Sequence, residues 1–194
     1  MSVPLGRARS AHVGSDLAGA DFPISGVLSA SQMLARDRIL PVHEALVSLF
    51  ASVDGSPVGL VRGHTVVCTG SAAVSCALGV VAGPTRVGSW AAVVGLTSLG
   101  PQAAGTLGVA LERTVFVDVP EPRSRDRTSD ATTSQDLAAV LSALVDGMDL
   151  LVLSHRVVTG MSPALVRRLQ TRIQAKGSVL VVVGDPGSVA ADVR

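Results

Sequence analysis

The stretch with the clearest potential for chemistry runs from Thr65 to Val81, TVVCTGSAAVSCALGVV, where an apolar strand leads through Gly70 into a helix of small residues. A phosphate-binding loop there needs the pattern G-x-x-x-x-G-K-[ST], whose backbone N–H groups, lysine and hydroxyl hold phosphates and Mg²⁺. In this register Ser75, Cys76 and Ala77 stand where the glycine, the lysine and the Ser or Thr belong. The frame of a nucleotide site is present, and we expect its chemistry to be lost.

A nucleotide hydrolase also needs an aspartate after a second apolar strand, because that carboxylate organises Mg²⁺. The strand after Asp149 reads LLVLS, which puts Ser154 at that position. Lysine, hydroxyl and metal-binding carboxylate are therefore replaced together. We predict no catalytic residues, no cofactor and no metal, with weak binding of a nucleotide at the helix N-terminus as the residual alternative.

The other candidates for site chemistry are isolated in the sequence. The histidines are His12, His43, His64 and His155. None has a cysteine or carboxylate at metal-ligand spacing. Ser154 precedes His155, but neighbours at a strand end point in opposite directions, which favours loop polarity over a nucleophile pair. We interpret Asp118 as the cap of a turn, and Cys68 and Cys76 as small apolar fillers.

Composition limits the class of protein. The chain has 194 residues, of which 47% are hydrophobic and only 2% aromatic, so the core must consist of Val, Leu, Ala and Ile. Such a core favours a buried parallel sheet. The net charge of +1 provides no overall field that would attract nucleic acid. No apolar run approaches the roughly 18 to 20 residues of a membrane span, and the start lacks a secretory signal, so we expect a cytoplasmic protein.

Strands and helices alternate along the chain, which predicts an α/β domain with a doubly wound, mostly parallel sheet. The predicted strands are 65–69, 90–94, 114–119, 150–153 and 179–183, and the predicted helices are 72–81, 101–107, 135–145 and 162–176. Residues 120–133 are expected to form a surface loop, and Trp90 is expected in the core. Ligands in such folds bind beyond the carboxyl ends of the strands. The residues predicted at that edge are 70–75, 95–98, Asp118, 154–155 and 184–185.

The chain divides into two predicted regions. Residues 1–33 lack a steady pattern and are expected to form a flexible arm, and residues 34–194 form the domain. At its start, a short amphipathic helix is predicted around Leu46 and Phe50. The helix over 162–176 buries an apolar face and carries a basic stripe of Arg168, Arg172 and Lys176, with Arg167 adjacent. The stripe is either a solvated face or a patch for an acidic partner or phosphates.

Several segments together resemble the ImuA family, in particular its actinobacterial ImuA-prime version. They are LARDRILPV, GLVRGHTVVCTGSAAVSCAL, LGVALERTVFV, VLSALVDGMDLLVL and VRRLQTRIQAKGSVLVVVG. The resemblance implies a RecA-like fold and an accessory role in translesion DNA synthesis within a mutagenesis cassette under SOS control. The implied partners are the adaptor ImuB and an error-prone DnaE-type polymerase, with RecA and a second copy of the chain as further candidates. It also implies association with the nucleoid after DNA damage.

Three functions remain open at this level. The first is a non-catalytic scaffold that binds ImuB or the polymerase through Leu46 and Phe50 or through the basic stripe, so that contact with DNA is indirect. The second is a protein that binds single-stranded DNA or modulates RecA filaments, although such grooves usually combine cations with aromatic rings. The third is a weak ATPase.

Overall fold

The computed structural model describes residues 38–50, 58–97, 99–119 and 127–193, with the backbone alone for 127–134. The predicted arm 1–33 lies outside the described residues. The strands are β1 (Ile39–Leu40), β2 (Leu60–Val61), β3 (Thr65–Cys68), β4 (Ala91–Val94), β5 (Thr114–Val117), β6 (Leu150–Ser154) and β7 (Val179–Val183). The helices are α1 (Ala73–Arg86), α2 (Pro101–Thr106), α3 (Arg127–Gly147), α4 (His155–Thr159) and α5 (Pro163–Lys176). Two 3₁₀ helices span Glu44–Leu49 and Leu111–Arg113.

The five long strands form one parallel sheet in the order β3-β7-β6-β4-β5. Helices flank the sheet on both faces, as the continuous apolar strands predicted. This α/β layout is consistent with a RecA-like fold and confirms the predicted fold class. β1 and β2 form a separate antiparallel pair.

Successive side chains along a strand point alternately into two different cores. Leu150 and Val152 face the core that includes α1 and α2, whereas Leu151 and Leu153 face the core under α3, α4 and α5. All residues of β6 and β7 are buried. Both strands lie in the interior of the sheet and supply apolar surface to both layers, which is why they lack polar alternation.

The ends of α5 show why its boundaries were predictable. Ser162 caps the helix, since its hydroxyl accepts a hydrogen bond from the Leu165 N–H at 3.3 Å, and Pro163 occupies the first turn. Gly177 ends it in the left-handed conformation with φ +69°. Val166, Leu169 and Ile173 are buried and hold the helix on the sheet.

The segment before β2 differs from the predicted amphipathic helix. Within its described part it forms β1 and the short 3₁₀ helix Glu44–Leu49. Two glycines of α1 allow this segment to pack closely on the helix. A Cβ on Gly83 would lie 2.6 Å from the Pro41 carbonyl oxygen, and one on Gly79 would lie 2.9 Å from Leu46 Cδ1. Backbone contact with α1 fixes this segment more strongly than its own periodicity.

Two helices, α1 and α3, are much longer than predicted, and one short helix was not predicted. α1 continues to Arg86 with Pro84 inside its last turns, and α3 starts at Arg127 within the predicted loop. α3 is anchored by its buried Leu141 and Val145, and a helix that is already nucleated extends through a polar stretch at little cost. The predicted loop after β6 is instead the short helix α4.

The chain returns to the sheet after β7 along the outer edge of β3. The Val67 N–H donates to the Val193 carbonyl at 2.9 Å, and the Thr65 N–H donates to Asp192 Oδ2 at 2.7 Å. The isolated bridge between Val66 and Val193 is parallel. These bonds satisfy backbone groups that an edge strand would otherwise leave to solvent.

Candidate functional site

The turn between β3 and α1 has the place of a phosphate-binding loop. β3 ends at Cys68, residues 69–72 are exposed, and Gly70 has φ +86° with no heavy atom within 4 Å of where a Cβ would stand. α1 then begins at Ala73 without a side-chain cap. The frame predicted from the sequence is therefore present as a strand, an open turn and a helix N-terminus.

The three positions that would hold phosphate and Mg²⁺ have other surroundings. Ser75 is exposed, Cys76 is half-buried and packed against the core, and Ala77 is buried within it. A methyl group in the core has no oxygen to offer a metal. The Cys76 thiol contacts Cys68 at the end of β3, so this position is turned toward the protein interior.

The two free cysteines, eight positions apart in the sequence, thus meet at the base of the turn. Burial, together with the neighbouring Cys76 thiol, raises the pKa of Cys68 from 9.0 to about 12. Cys68 is a neutral, buried group, which agrees with its interpretation as an apolar filler. The contact with Cys76 was missed, because only the β3–α1 fold brings the pair together.

Ser154, at the position of the metal-binding aspartate, has a structural role. It is 3% exposed, and its hydroxyl accepts a hydrogen bond from the Val157 N–H at 3.4 Å as the cap of α4. A Cβ on Gly95, which has φ +73°, would lie 2.8 Å from the Ser154 hydroxyl oxygen and against Val157. The carboxyl ends of β4 and β6 are therefore in close contact.

The neighbouring end of β7 is filled in a similar way. The Gly184 N–H donates to the Cys68 carbonyl at 2.8 Å, and a Cβ on Gly184 would lie 3.0 Å from His155 Cβ. Of the carboxylates at this edge, Asp185 accepts a hydrogen bond from the Gly187 N–H at 3.0 Å within its own turn, and Asp118 is exposed. The described residues contain no group of three His, Cys, Asp or Glu side chains that could hold a metal.

An aspartate on α3 binds part of the basic stripe on α5. Arg172 donates to both carboxylate oxygens of Asp146, with Nε to Oδ1 at 3.1 Å, and Lys176 Nζ lies 3.6 Å from Oδ1. The Arg172 hydrogen bonds lower the pKa of Asp146, and Asp146 raises the pKa of Arg172. Two of the stripe's cations are therefore engaged within the protein.

The other two basic residues that the sequence predicted for this surface, Arg167 and Arg168, are exposed. Neither forms an ion pair with any residue within the described ranges. Successive helical residues are about 100° apart, so the two side chains leave α5 on different sides. Arg168 continues the row of Arg172, whereas Arg167 lies on the side of Gln170, which bonds to the Ala190 carbonyl at 2.8 Å.

A family model, the MT3502 N-terminal domain, matches residues 55–188, which include the whole parallel sheet and the candidate site. The chain belongs to the MT3502 N-terminal domain family. That description names no activity. No curated protein matches the chain.

The predicted partner-binding residues before this family domain are Leu46 and Phe50. Both are partly buried and pack against the core beside α1. The large apolar side chains that this 3₁₀ segment presents to solvent are Val47, at 42% exposure, and Leu49, at 66%. A role of Leu46 and Phe50 in binding a partner remains a prediction.

Within the family domain, Trp90 is not the core residue that the sequence suggested. It precedes β4 at the amino ends of the strands and is 42% exposed. The Arg113 guanidinium lies 5.6 Å from the centre of its ring. The prediction was wrong because Trp90 was assigned to the buried strand, which begins one residue later.

In the part of the chain that is described, no helix is long and apolar enough to cross a membrane.

Proposed function

We propose that this chain is a non-catalytic, RecA-like accessory protein of an SOS-induced mutagenic translesion synthesis complex. In this role it binds ImuB, the error-prone DnaE-type polymerase, or both, and it associates with the nucleoid after DNA damage. The observation that supports the non-catalytic part of the proposal is that the residues at the expected nucleotide-binding positions make contacts inside the protein. Cys76 contacts Cys68, Ala77 is in the core, and Ser154 caps α4.

The chemistry of phosphates supports this proposal. A nucleoside triphosphate needs a cation at its outer phosphates and oxygen ligands for its Mg²⁺. A thiol and a methyl group provide neither, and the Ser154 hydroxyl already accepts a hydrogen bond inside the fold. The exposed Gly70 turn retains backbone N–H groups, which by themselves give only weak anion binding.

The assignment to translesion synthesis rests on the sequence resemblance to ImuA-prime. Protein contacts are favoured over DNA contacts because the net charge is +1 and Asp146 engages two of the four predicted basic residues. Arg168 is then the residue of the stripe best placed to meet an acidic partner, since it is exposed and continues the row of Arg172.

The direct test is a pull-down of purified ImuB and, separately, of the DnaE-type polymerase with the folded full chain. We expect at least one of them to bind. The charge reversal Arg168→Glu should weaken binding if the stripe takes part, and Arg167→Glu is the matched control on another side of α5. Reproducible absence of both interactions would contradict the proposal.

Two further assays separate the competing functions. ATP turnover with and without Mg²⁺ is expected to equal the buffer blank, and activity abolished by Gly70→Asp would contradict a non-catalytic role. Fluorescence anisotropy with labelled single-stranded DNA is expected to show no tight, steeply salt-dependent binding, because phosphate contacts give a steep salt slope. Tight binding with such a slope would favour the DNA-binding alternative.

A further inference from the structure

The amino ends of β4 and β5 carry a cluster of exposed apolar side chains, which we call the basal patch. The patch consists of Val87, Trp90, Leu107 and Leu111, with Arg86 and Arg113 beside them. The apolar members are 67%, 42%, 42% and 40% exposed, respectively. Large apolar side chains grouped at one place on a surface are typical of interaction sites, whereas scattered single ones are ordinary.

Contacts among three connecting segments show that these residues are grouped. Arg113 stacks on Trp90 and donates from Nη1 to the Gly88 carbonyl at 2.9 Å, next to Val87. A Cβ on Gly105 would lie 3.3 Å from Leu111 Cδ1, which places Leu111 against α2 just before Leu107. The three segments therefore form one continuous surface at this end of the domain.

The arginines are tied to the same surface. A Cβ on Gly108 would lie 2.9 Å from Arg86 Nη2, so the Arg86 guanidinium covers the backbone after α2. The Ala110 N–H donates to Thr85 Oγ1 at 3.2 Å and fixes this approach. Arg86 has no hydrogen bond or ion pair with another residue of the described chain.

The cations determine what kind of partner fits. An arginine has five N–H donors, and the hydrogen bond to Gly88 uses one donor nitrogen of Arg113. A partner that covers Trp90 also removes water from the stacked guanidinium, and unsatisfied donors of a buried charge are costly. A carboxylate accepts such donors in a bidentate pair, and tryptophan with arginine is the usual composition of binding hot spots.

We propose that the basal patch is a docking site for an acidic segment of another protein, in which a carboxylate lies next to an apolar side chain. The apolar side chain packs on Trp90 and Leu111, and the carboxylate binds Arg86 or Arg113. This surface lies at the opposite end of the strands from the β3–α1 turn. The docking proposal does not depend on whether ImuB or the polymerase is the partner.

A phage-displayed library of twelve-residue peptides, selected on the folded full chain, tests the proposal without a known partner. We expect enriched peptides with Asp or Glu beside an aliphatic or aromatic residue. Their affinity should fall at least about 30-fold for Trp90→Ala, as for a hot-spot residue. Val140→Ala is the matched control, because Val140 is also 42% exposed but lies on α3, and it should change the affinity less than about twofold.

The charge requirement has its own pair of variants. Arg86→Glu should weaken the selected peptides at least about tenfold, because it replaces one of the two proposed partners of the carboxylate with a like charge, whereas Arg38→Glu, at another exposed arginine, should leave them unchanged. Leu111→Ser provides a second test of the apolar part if Trp90→Ala fails to fold. Absence of any enriched peptide, or enrichment of peptides that bind Trp90→Ala as well as wild type, would overturn the proposal.

The chain has a single tryptophan, so its environment reports on the patch directly. Protein labelled with 5-fluorotryptophan should give one ¹⁹F resonance that shifts saturably with a selected tryptophan-free peptide. A resonance that moves on dilution of the protein alone would instead identify a second copy of the chain as the occupant. Failure of ImuB and the polymerase to bind would contradict the proposed function and leave these peptide results unaffected.

Discussion

The two ends of the parallel strands differ in what they offer to a ligand. At the carboxyl ends of β4, β6 and β7, Gly95 and Gly184 are in close contact with α4, and Ser154 is buried as its cap. At the amino ends, Trp90 is exposed beside two arginines. Ligands of open α/β sheets usually bind at the carboxyl end. In this protein that end is largely filled by its own side chains, and the amino end carries the accessible apolar surface.

The strand, turn and helix expected of a phosphate-binding loop are present in this chain, but the residues at its phosphate and metal positions are not the types that such a site requires. The turn at Gly70 is open, whereas Ala77 lies in the core and Ser154 caps α4. Function in such a fold has to be located from surface chemistry and not from the position usual for the fold.

The sharpest test of the filled end is Gly95→Ala. We expect it to lower the free energy of unfolding by about 3 kcal/mol, because the methyl group meets Ser154 and Val157 and the backbone has φ +73°. The matched control is Gly70→Ala, where φ is +86° but no atom lies within 4 Å, and the cost should be about 1 to 2 kcal/mol. Urea unfolding measures both. Equal losses would show that the carboxyl ends of β4 and β6 are not closely filled.

The thiols at the base of the β3–α1 turn should differ in reactivity. At pH 8 we expect iodoacetamide to modify Cys76 first and Cys68 only after unfolding, because Cys68 is buried and its pKa is raised to about 12. Peptide mass spectrometry after timed quenching measures both rates. Modification of Cys68 in the folded protein as fast as Cys76 would contradict its burial.

The same thiol predicts how stability depends on alkaline pH. Above the ordinary pKa of 9.0 the unfolded chain releases the Cys68 proton while the folded chain keeps it up to about 12, so stability falls as the pH rises through that window. The variant Cys68→Ala lacks this part of the loss. Urea unfolding from pH 8 to pH 10.5 should therefore show a shallower decline for the variant, and parallel curves would contradict the raised pKa.

At the open end, removal of the stacked cation should have a smaller effect. Arg113→Met keeps the aliphatic stem and removes the guanidinium with its hydrogen bond to the Gly88 carbonyl, which should cost about 1 to 2 kcal/mol of unfolding free energy at this half-exposed site. Arg86→Met, which removes a guanidinium that does not lie on the ring, is the control and should cost less. Unfolding followed by Trp90 fluorescence measures the difference.

The smallest expected effect concerns the ion pairs beside α5. Asp146→Asn should lower stability slightly at pH 7 and low salt, because exposed pairs contribute little. The lowered pKa of Asp146 means that its contribution is present above the unfolded value near 3.8 and is lost as the pH falls through the folded value. The two proteins should therefore converge in acid and in 1 M salt. A difference that persists in both would show that packing, not charge, is involved.

Long apolar segments were the most predictable part of the fold. β7 matches its predicted range, Val179–Val183, and α5 begins one residue inside its prediction because Ser162 and Gly177 mark its ends. The boundaries that failed lie where periodicity is weak. α3 extends through a polar stretch, and the segment around Leu46 takes the shape that contact with α1 allows.

The candidate site was predictable only in part. The replaced P-loop positions could be read directly from the register after Gly70, since that pattern is local. Whether Cys76 meets Cys68, or Arg172 meets Asp146 across 26 positions, depends on how a helix lies on the sheet or on another helix. Such distances are not encoded in spacing along one element.

The sequence by itself determined the parallel sheet, the chain order of its five strands, and the absence of a lysine and an aspartate from the P-loop and metal positions, because these follow from local pattern and residue type. Only the tertiary structure decided which surfaces stay open. Exposure of Trp90 and burial of Ser154 depend on how strand ends and connecting segments from distant parts of the chain are assembled, and solvent access is a property of that assembly.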